Sequence, residues 1–402
     1  MNSREKVKKL FNRETADGIA IDFGGMSSSG ISAVAYAKLV EALGLPRRMI
    51  KINDIFQQTA QPDLDVIEAL GGDFVQALPM RLRFGISSKQ WKEWTMTDGT
   101  PCLVPAEFNP VTDEKGNKII IAYGVPYACM PARGFYYDQT AHLLEDAEEI
   151  SDLDGFPFPV MEEDEIEFIK IEVEKLYENT DKAIVFRLGG SIFEQGQRDF
   201  NYENFYCNLL INKELMHMYF RRLTNAYLAN LKRLLPVIGD KIQAVQFFDD
   251  LGAQTGLQIS INTYREMIMP YHKEMYAYIH KTCPGVKVLL HCCGGIFDLI
   301  PSLTEAGVDL LNPVQVSAAG MEPQKLKNAY GDKMIFWGGG ADMQDFVQKT
   351  DDLDEIRKHV DGLIQTFSQG GGFVFTQIHN IQYDVPPEKV IAIYETAKKY
   401  KR

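Results

Sequence analysis

The sequence predicts an α/β protein whose parallel strands close into a (β/α) barrel. After about residue 180, apolar runs of strand length alternate with amphipathic helices at least six times, and each run ends in Gly, Asp or His. Such alternation builds a parallel sheet with right-handed crossover connections. No Gly-x-Gly-x-x-Gly dinucleotide fingerprint follows the first strand, so a closed barrel is favoured over an open doubly wound sheet.

The first part of the chain is less regular. The apolar pattern predicts a helix, a short strand and a second helix within residues 1–70, which we expect to form an N-terminal helical extension. Residues 74–78 are the first good candidate for a buried parallel strand. Two hairpin signals, Asp98-Gly99 and the turn ending at Gly116, predict an antiparallel excursion over about residues 91–123.

The second part of the chain carries the strand and helix alternation in order. Residues 130–163 are rich in Pro, Gly and acidic residues and are expected to be irregular. We expect the whole chain, residues 1–402, to form a single barrel domain. The predicted strands are residues 183–188, 243–248, 288–290, 308–311, 334–337 and 371–375, and the predicted helices are residues 163–178, 203–236, 263–282, 353–368 and 387–399.

Composition excludes several classes of protein. The 402 residues are 45% hydrophobic and 24% charged, as in an ordinary soluble globular protein. The formal net charge of −13 argues against nucleic acid or an anionic membrane surface as a partner. No apolar run approaches the ~18 residues of a membrane span, so we expect a cytoplasmic protein. The six dispersed cysteines indicate free thiols or metal ligands instead of disulfides.

Three potential metal ligands follow predicted strands. His291 and Cys293 lie two residues apart, and because side chains alternate along a strand they share one face, while Cys292 points away. Isolated, this pair also fits a barrel-mouth histidine and a buried cysteine. His379 follows the last strand at the equivalent place. Three N and S ligands with one open position are typical of a catalytic zinc site.

Acidic and aromatic residues follow other strands. Asp249 and Asp250 should point to opposite faces of the strand. Their roles could be to orient a ligand histidine, to act as a base or to contact the substrate. The alternative is a helix N-cap. Glu194 is either an acid at the barrel mouth or a solvated loop residue. Trp337 could form the wall of a site for an aromatic substrate or could pack in the core.

With these residues placed, the chain resembles the uroporphyrinogen decarboxylase superfamily, whose members adopt a (β/α)8 TIM barrel. The metal-independent decarboxylases carry an N-terminal Arg-rich loop of the RQAGRY type, which is absent here. The corrinoid-protein methyltransferases hold zinc with an H-x-C-G motif and a later cysteine. The resemblance is carried by Phe-Asp-Asp-Leu-Gly at 248–252, Leu-His-Cys-Cys-Gly-Gly at 290–295, and residues 306–313, 336–339 and 374–387.

The methyltransferase branch is the closer of the two. Residues 291–294, His-Cys-Cys-Gly, match the first part of the zinc motif. His379, in His-Asn-Ile-Gln, stands where the coenzyme M methyltransferases have cysteine and is more similar to methyltransferases of anaerobic O-demethylation. With fewer thiolate ligands the zinc would be more electrophilic, which suits activation of an ether oxygen.

The resemblance implies a zinc-dependent methyltransferase acting between a small methylated donor, with an aryl methyl ether favoured, and the corrinoid (cobalamin) of a partner protein. A homodimer is a possible assembly. One alternative is a metal-independent lyase acting on a carboxylated or tetrapyrrole substrate, and another is a regulatory protein without catalysis. The implied site residues are His291, Cys293 and His379 for the metal, Asp249 and Glu194 for catalysis, and Asp250, Trp337, Asn380 and Gln382 for the substrate.

Overall fold

The computed structural model describes residues 1–14 and 16–401, and its centre is an eight-stranded parallel sheet wrapped into a barrel. Each strand pairs with its sequence neighbour, and the first pairs with the last. Between the first two strands, Asp73 N donates to Ile21 O at 2.7 Å. The predicted (β/α)8 barrel is therefore confirmed. Its strands are β1 Ala20–Ile21, β2 Phe74–Ala77, β3 Ala183–Gly189, β4 Ala244–Phe248, β5 Lys287–His291, β6 Leu310–Asn312, β7 Ile335–Trp337 and β8 Phe373–Phe375.

The register of the central strands lines up their carboxyl ends. Phe248 of β4 lies beside His291 of β5, and His291 lies beside Asn312 of β6. Because parallel strands in a barrel end at the same rim, these three side chains begin the loops of one mouth. The sheet register thus positions the chemically active residues next to one another.

The barrel interior is filled from the opposite end by the N-terminal helix Ser3–Phe11. Asn2 and Glu5 form a capping box that fixes the start of this helix. Its apolar face buries Phe11 5.9 Å from the ring of Trp337, and Phe74 of β2 lies 4.4 Å from the same indole. This aromatic layer closes the amino-terminal end of the barrel, so the opposite rim is left for the site.

Helices surround the barrel much as the periodicity predicts. Their apolar faces pack against the outer faces of the strands in one continuous core. The predicted helix over residues 203–236 is two helices that meet at Asn212. The helices after β2 are Glu163–Asn179, Phe193–Phe200, Tyr202–Ile211, Lys213–Ile238, Ile261–Thr263, Met269–Thr282, Ile300–Ala306, Pro323–Tyr330, Leu353–Phe367 and Pro387–Lys398, with π-helical turns at Tyr264–Ile268 and Met343–Val347.

Residues 1–70 do more than the predicted helical extension. They supply β1 of the barrel and the helices Ala33–Ala42 and Leu64–Ala69. Ile50–Asp54 joins a mixed sheet, in which it pairs in parallel with Pro101–Pro105 and antiparallel with Thr59–Ala60. The predicted hairpin excursion exists and extends beyond residue 123. One four-stranded sheet contains Thr59–Ala60, Ile50–Asp54, Pro101–Pro105 and Trp91–Thr95, and a second contains Val111–Thr112, Lys118–Ala122, Val125–Met130 and Asp138–Gln139.

Two further expectations concern the whole chain. All six cysteines are free thiols, as their dispersed spacing predicts. In the described ranges 1–14 and 16–401, no helix combines the length and the apolar character needed to cross a bilayer.

Candidate metal centre and substrate cavity

Three side chains of the types that can ligate a metal converge at the carboxyl ends of β5 and β8. His291 ends β5, Cys293 lies in the turn that follows, and His379 comes shortly after β8. Their ligand atoms all lie within 4.8 Å of one another, and Cys293 Sγ is 3.3 Å from His291 Nε2. The two imidazole rings meet edge to face with centroids 5.6 Å apart. The structure therefore brings together the three side chains that the sequence singles out as ligands.

The orientation of His291 is fixed by Asn312, which the sequence analysis missed. His291 Nδ1 donates to Asn312 Oδ1 at 2.6 Å, and Asn312 Nδ2 donates to the Trp337 carbonyl at 2.9 Å. Because the amide nitrogen serves a carbonyl, the amide oxygen faces the imidazole and Nδ1 carries the ring proton. Nε2 is then left with a lone pair directed toward Cys293. The available signal was a polar residue at the end of an apolar strand.

His379 has a backbone conformation that favours glycine. Its φ of 61° lies in the left-handed region, where a non-glycine residue costs roughly 1–2 kcal/mol. The preceding Ile378 N donates to Ala341 O at 2.9 Å and holds this segment in place. Burial, together with the nearby His291, lowers the pKa of His379 to about 3. The imidazole is therefore neutral at pH 7 and offers a lone pair.

The turn after β5 holds Cys293 against the loop after β4. Cys293 N donates to Asp250 Oδ1 at 2.7 Å. Gly294 has a φ of 89°, and a Cβ at this position would lie 2.5 Å from the carbonyl carbon of Gly252. Burial raises the pKa of the Cys293 thiol well above its usual value, and the negative charge of Asp250 raises it further. Such a thiol ionises readily only beside a cation.

The donor set fits a zinc ion. Zinc prefers thiolate and imidazole ligands, and catalytic sites use three protein ligands. With Zn–S and Zn–N distances of about 2.3 and about 2.1 Å, tetrahedral ligands lie about 3.6 Å (S to N) and about 3.4 Å (N to N) apart. The observed separations of 3.3 Å and at most 4.8 Å are close to these values. Small side-chain rotations would bring the three atoms to zinc distances.

The adjacent acids after β4 point in opposite directions, as strand alternation predicts. Asp250 faces a cavity beside the ligands, with Oδ1 3.8 Å from His291 Nε2. Asp249 is fully buried on the other side, where it accepts two backbone N–H groups of the loop after β3 at 2.8 and 2.9 Å. Its Oδ2 also lies 2.7 Å from His272 Nε2. Both carboxylate oxygens of Asp249 thus bind groups inside the fold, and its catalytic role stays a prediction.

Glu194 lies on the wall of the same cavity. Its Oε1 accepts a hydrogen bond from Arg198 Nη2 at 3.0 Å. Burial raises the pKa of Glu194 to about 7, against the opposing charge of Arg198. The second oxygen, Oε2, has no hydrogen-bond partner among residues 1–14 and 16–401. A carboxyl group that titrates near neutral pH is suited to proton transfer.

The cavity beside His291 and His379 has a volume of about 290 Å³. This is at the lower limit of the ~300–1,000 Å³ typical of small-molecule sites. Its wall contains cationic residues that the sequence analysis missed, among them Arg187 and Arg198. The available signal was the single arginine inside the apolar strand Ala183–Gly189.

Of the two alternatives for Trp337, the wall of a substrate site and core packing, the structure shows core packing. The side chain is fully buried inside the barrel. Its Nε1 donates to Asp22 Oδ2 at 2.8 Å, which satisfies the only polar atom of the indole. Trp337 is therefore a core residue, and it reaches the site only through its carbonyl group, which orients Asn312.

Asn380 and Gln382 line a second cavity, of about 320 Å³, on the other side of the ligand cluster. Cys293 and His379 also line this cavity. Asn380 Oδ1 accepts the N–H of Gly30 at 2.7 Å, so this side chain joins the loops after β1 and β8. The ligand cluster thus separates two cavities, of which only the first contains the acidic and cationic side chains.

These features define the molecule as an α/β-barrel protein with a candidate catalytic metal centre at the carboxyl ends of its strands. The chain belongs to the uroporphyrinogen decarboxylase family: the family model, described as Uroporphyrinogen decarboxylase (URO-D), matches residues 186–400. The match covers β4 to β8 and both halves of the ligand cluster. No curated protein matches the sequence.

One solved structure shares the fold at low sequence identity, and another is similar only over part of the chain. A methyltransferase from Methanosarcina mazei is 12% identical and superposes with a TM-score of 0.62 over 100% of both chains. Xylanase 10B from Thermotoga maritima is 9% identical, with a TM-score of 0.31 over 56% of this chain and 90% of that chain, which is too low to support any comparison. At 12% identity, the similarity to the Methanosarcina mazei methyltransferase establishes the fold alone.

Proposed function

We propose that this protein is a zinc-dependent methyltransferase that moves a methyl group from a small methyl ether to the corrinoid of a partner protein. The observation that carries the proposal is the convergence of His291, Cys293 and His379 at the barrel mouth, with the thiol 3.3 Å from one imidazole. Bound there, zinc would act as a Lewis acid on the leaving oxygen. The full-length likeness of fold to a methyltransferase is in accord with this class.

Methyl transfer breaks one bond to the methyl carbon and forms another. The carbon–oxygen bond of the ether breaks with its electron pair remaining on oxygen, and that oxygen takes up a proton. The new bond to carbon forms with the electron pair of a reduced, Co(I) corrinoid. Breaking the ether is the difficult part because an alkoxide or phenolate is a poor leaving group.

The residues of this chain supply the surroundings for that reaction. Asn312 keeps the proton of His291 on Nδ1, which leaves Nε2 as the ligand atom. Asp250 holds the Cys293 backbone and thereby the direction of its thiol. We assign Glu194 as the group that delivers a proton to the departing oxygen, since its pKa of about 7 allows it to hold one on Oε2.

A second candidate is a metal-independent lyase acting on a carboxylated substrate, which the arginines of the cavity favour. Two observations weigh against it. A lyase without metal does not require a half-buried thiol beside two imidazoles, and the cavity of about 290 Å³ is small for a tetrapyrrole. Metal content distinguishes the two candidates.

The test begins with zinc analysis of purified protein after reconstitution. We expect close to one zinc per chain in the wild type, and less than about 0.2 equivalents in Cys293→Ala. Cys292→Ala is the matched control, because Cys292 is adjacent in sequence but lies in the core, where its Sγ accepts from Leu251 N at 3.4 Å. This control should retain its zinc.

Activity is measured by mixing the protein, a reduced corrinoid protein and a panel of methyl ethers, and recording the absorption change of methylcorrinoid formation. Wild type and Cys292→Ala should form methylcorrinoid, and Cys293→Ala should not. A wild-type protein without stoichiometric zinc, or a Cys293→Ala variant with wild-type turnover, would rule out the proposed function.

A further inference from the structure

The cavity beside the ligand cluster contains a buried guanidinium group with unused hydrogen-bond donors. Arg187 projects from β3, and its side chain is 17% exposed. The nearest acid is Asp54, whose Oδ2 lies 3.9 Å from Arg187 Nη2, which is longer than a hydrogen bond. The guanidinium also lies 5.5 Å from the ring centre of Phe248. Among residues 1–14 and 16–401, no acceptor hydrogen-bonds to this side chain.

The guanidinium group of Arg83 also has unused hydrogen-bond donors. Arg83 lies in a turn whose next residue, Phe84, has a φ of 63°. Its guanidinium lies 4.2 Å from the ring centre of Phe56, and within the described ranges it donates no hydrogen bond. Burial, together with the positive charges of Arg198 and Arg187, lowers the pKa of Arg83 to about 9. All three arginines line the same cavity.

In the described part of the chain, the acids around the cavity accept their hydrogen bonds from groups other than Arg187 and Arg83. Glu194 accepts from Arg198 at 3.0 Å. Asp54 Oδ1 accepts the backbone N–H groups of residues 56 and 57 at 2.9 and 3.1 Å. Asp250 Oδ1 accepts the N–H of Cys293 at 2.7 Å.

Each free guanidinium presents five N–H donors in a planar fork that matches a carboxylate. A buried charge is costly unless it is paired, so two adjacent guanidinium groups with free donors call for an anion in the cavity.

We propose that the cavity selects a substrate with a carboxylate group, which Arg187 and Arg83 bind. Leu82, Leu188 and Phe248 supply an apolar wall in the same cavity, so the rest of the molecule is expected to be a small ring. The methyl donor is then the methyl ether of an aromatic carboxylic acid. The ether part of this inference rests on the proposed function, whereas anion binding rests on the arginines alone.

The test is equilibrium binding by calorimetry of two probes with the same shape, 4-methoxybenzoate and 4-methoxybenzamide. Both are titrated into the zinc-reconstituted and the chelator-treated protein, because a carboxylate could also bind directly to a metal. We expect wild-type protein to bind the benzoate at least tenfold more tightly than the benzamide in both states.

Three variants complete the design. Arg187→Met and Arg83→Met keep the side-chain length and remove the charge, and each should weaken benzoate binding tenfold or more while changing benzamide binding by less than twofold. Arg47→Met is the matched control, because Arg47 is 84% exposed and forms an ion pair with Glu41, away from the cavity. Thermal unfolding establishes that each variant is folded.

Equal binding of the two probes, a preference that survives both arginine variants, or a preference that disappears with the metal would overturn this inference. Failure of the proposed function gives a different pattern, since the protein would lack zinc or methyl transfer and still prefer the benzoate through Arg187.

Discussion

Replacing Asn312 by leucine should weaken zinc binding without unfolding the protein. Asn312 Oδ1 accepts the only hydrogen bond of His291 Nδ1, at 2.6 Å, inside a site where His291 is 4% exposed. Leucine has nearly the same shape and offers no acceptor. The imidazole proton can then move to Nε2, the atom that must be unprotonated to bind a metal.

The magnitude follows from the loss of this one partner. Removing a residue that orients a ligand histidine typically costs ~10–100-fold in metal affinity, or about 1.4–2.8 kcal/mol. The buried N–H left unpaired accounts for a similar amount, about 1–3 kcal/mol. We therefore expect the zinc dissociation constant of Asn312→Leu to rise by one to two orders of magnitude.

The assay is competition for zinc against a chromophoric chelator at pH 7.5, with thermal unfolding of the metal-free proteins as a check on folding. Ser28→Ala is the matched control, because Ser28 Oγ donates to the same Asn312 oxygen at 3.0 Å but does not touch the imidazole. Its zinc affinity should stay within threefold of wild type. A folded Asn312→Leu with a dissociation constant within twofold of wild type would refute the assigned role of Asn312.

Three further predictions concern stability. Gly294→Ala should destabilise the fold by about 1–3 kcal/mol, because its φ is positive and a Cβ would meet Gly252 at 2.5 Å; denaturant unfolding that matches wild type would contradict this. Gly362→Ala, on the exposed face of a helix with no atom within 4 Å of a new Cβ, should instead stabilise by about 0.4–1 kcal/mol in the same assay. Asp199→Asn should lose less stability than wild type between pH 5 and pH 8. Burial raises the pKa of Asp199 to about 7, whereas the carboxyl group of the unfolded chain ionises near pH ~3.9. The stability that protonated Asp199 contributes to the folded protein is therefore full below about pH 4 and is lost as the pH rises through about 7. Parallel stability–pH curves for the two proteins would count against this reasoning.

Much of the fold could be predicted because its signals are local. The strands β3 to β8 are short apolar runs between amphipathic helices, and the predicted and observed boundaries agree closely. The short strand within residues 1–70 is predicted, but its place in the barrel is not. β1 pairs with β8 near the far end of the chain, and no local pattern reports such a contact.

For the candidate site as well, some features can be predicted from the sequence and others cannot. Strand alternation separates Asp249 from Asp250 and Cys292 from Cys293, and the structure shows these pairs facing as predicted. Alternation does not say what each face meets. Asp249 meets backbone N–H groups and His272 inside the fold, and strand alternation alone does not predict these contacts.

The sequence by itself determined the barrel and the three ligand types at strand ends, because hydrophobic periodicity and residue type can be identified from the sequence alone. Only the tertiary structure decided that His379 meets His291 and Cys293 and that Asn312 orients the first imidazole. The closing of a barrel brings strand ends together regardless of their distance in sequence. Likewise, Arg187 is a single charged residue in an apolar strand of the sequence. Only the tertiary structure shows that it lines a cavity together with other arginines from neighbouring loops.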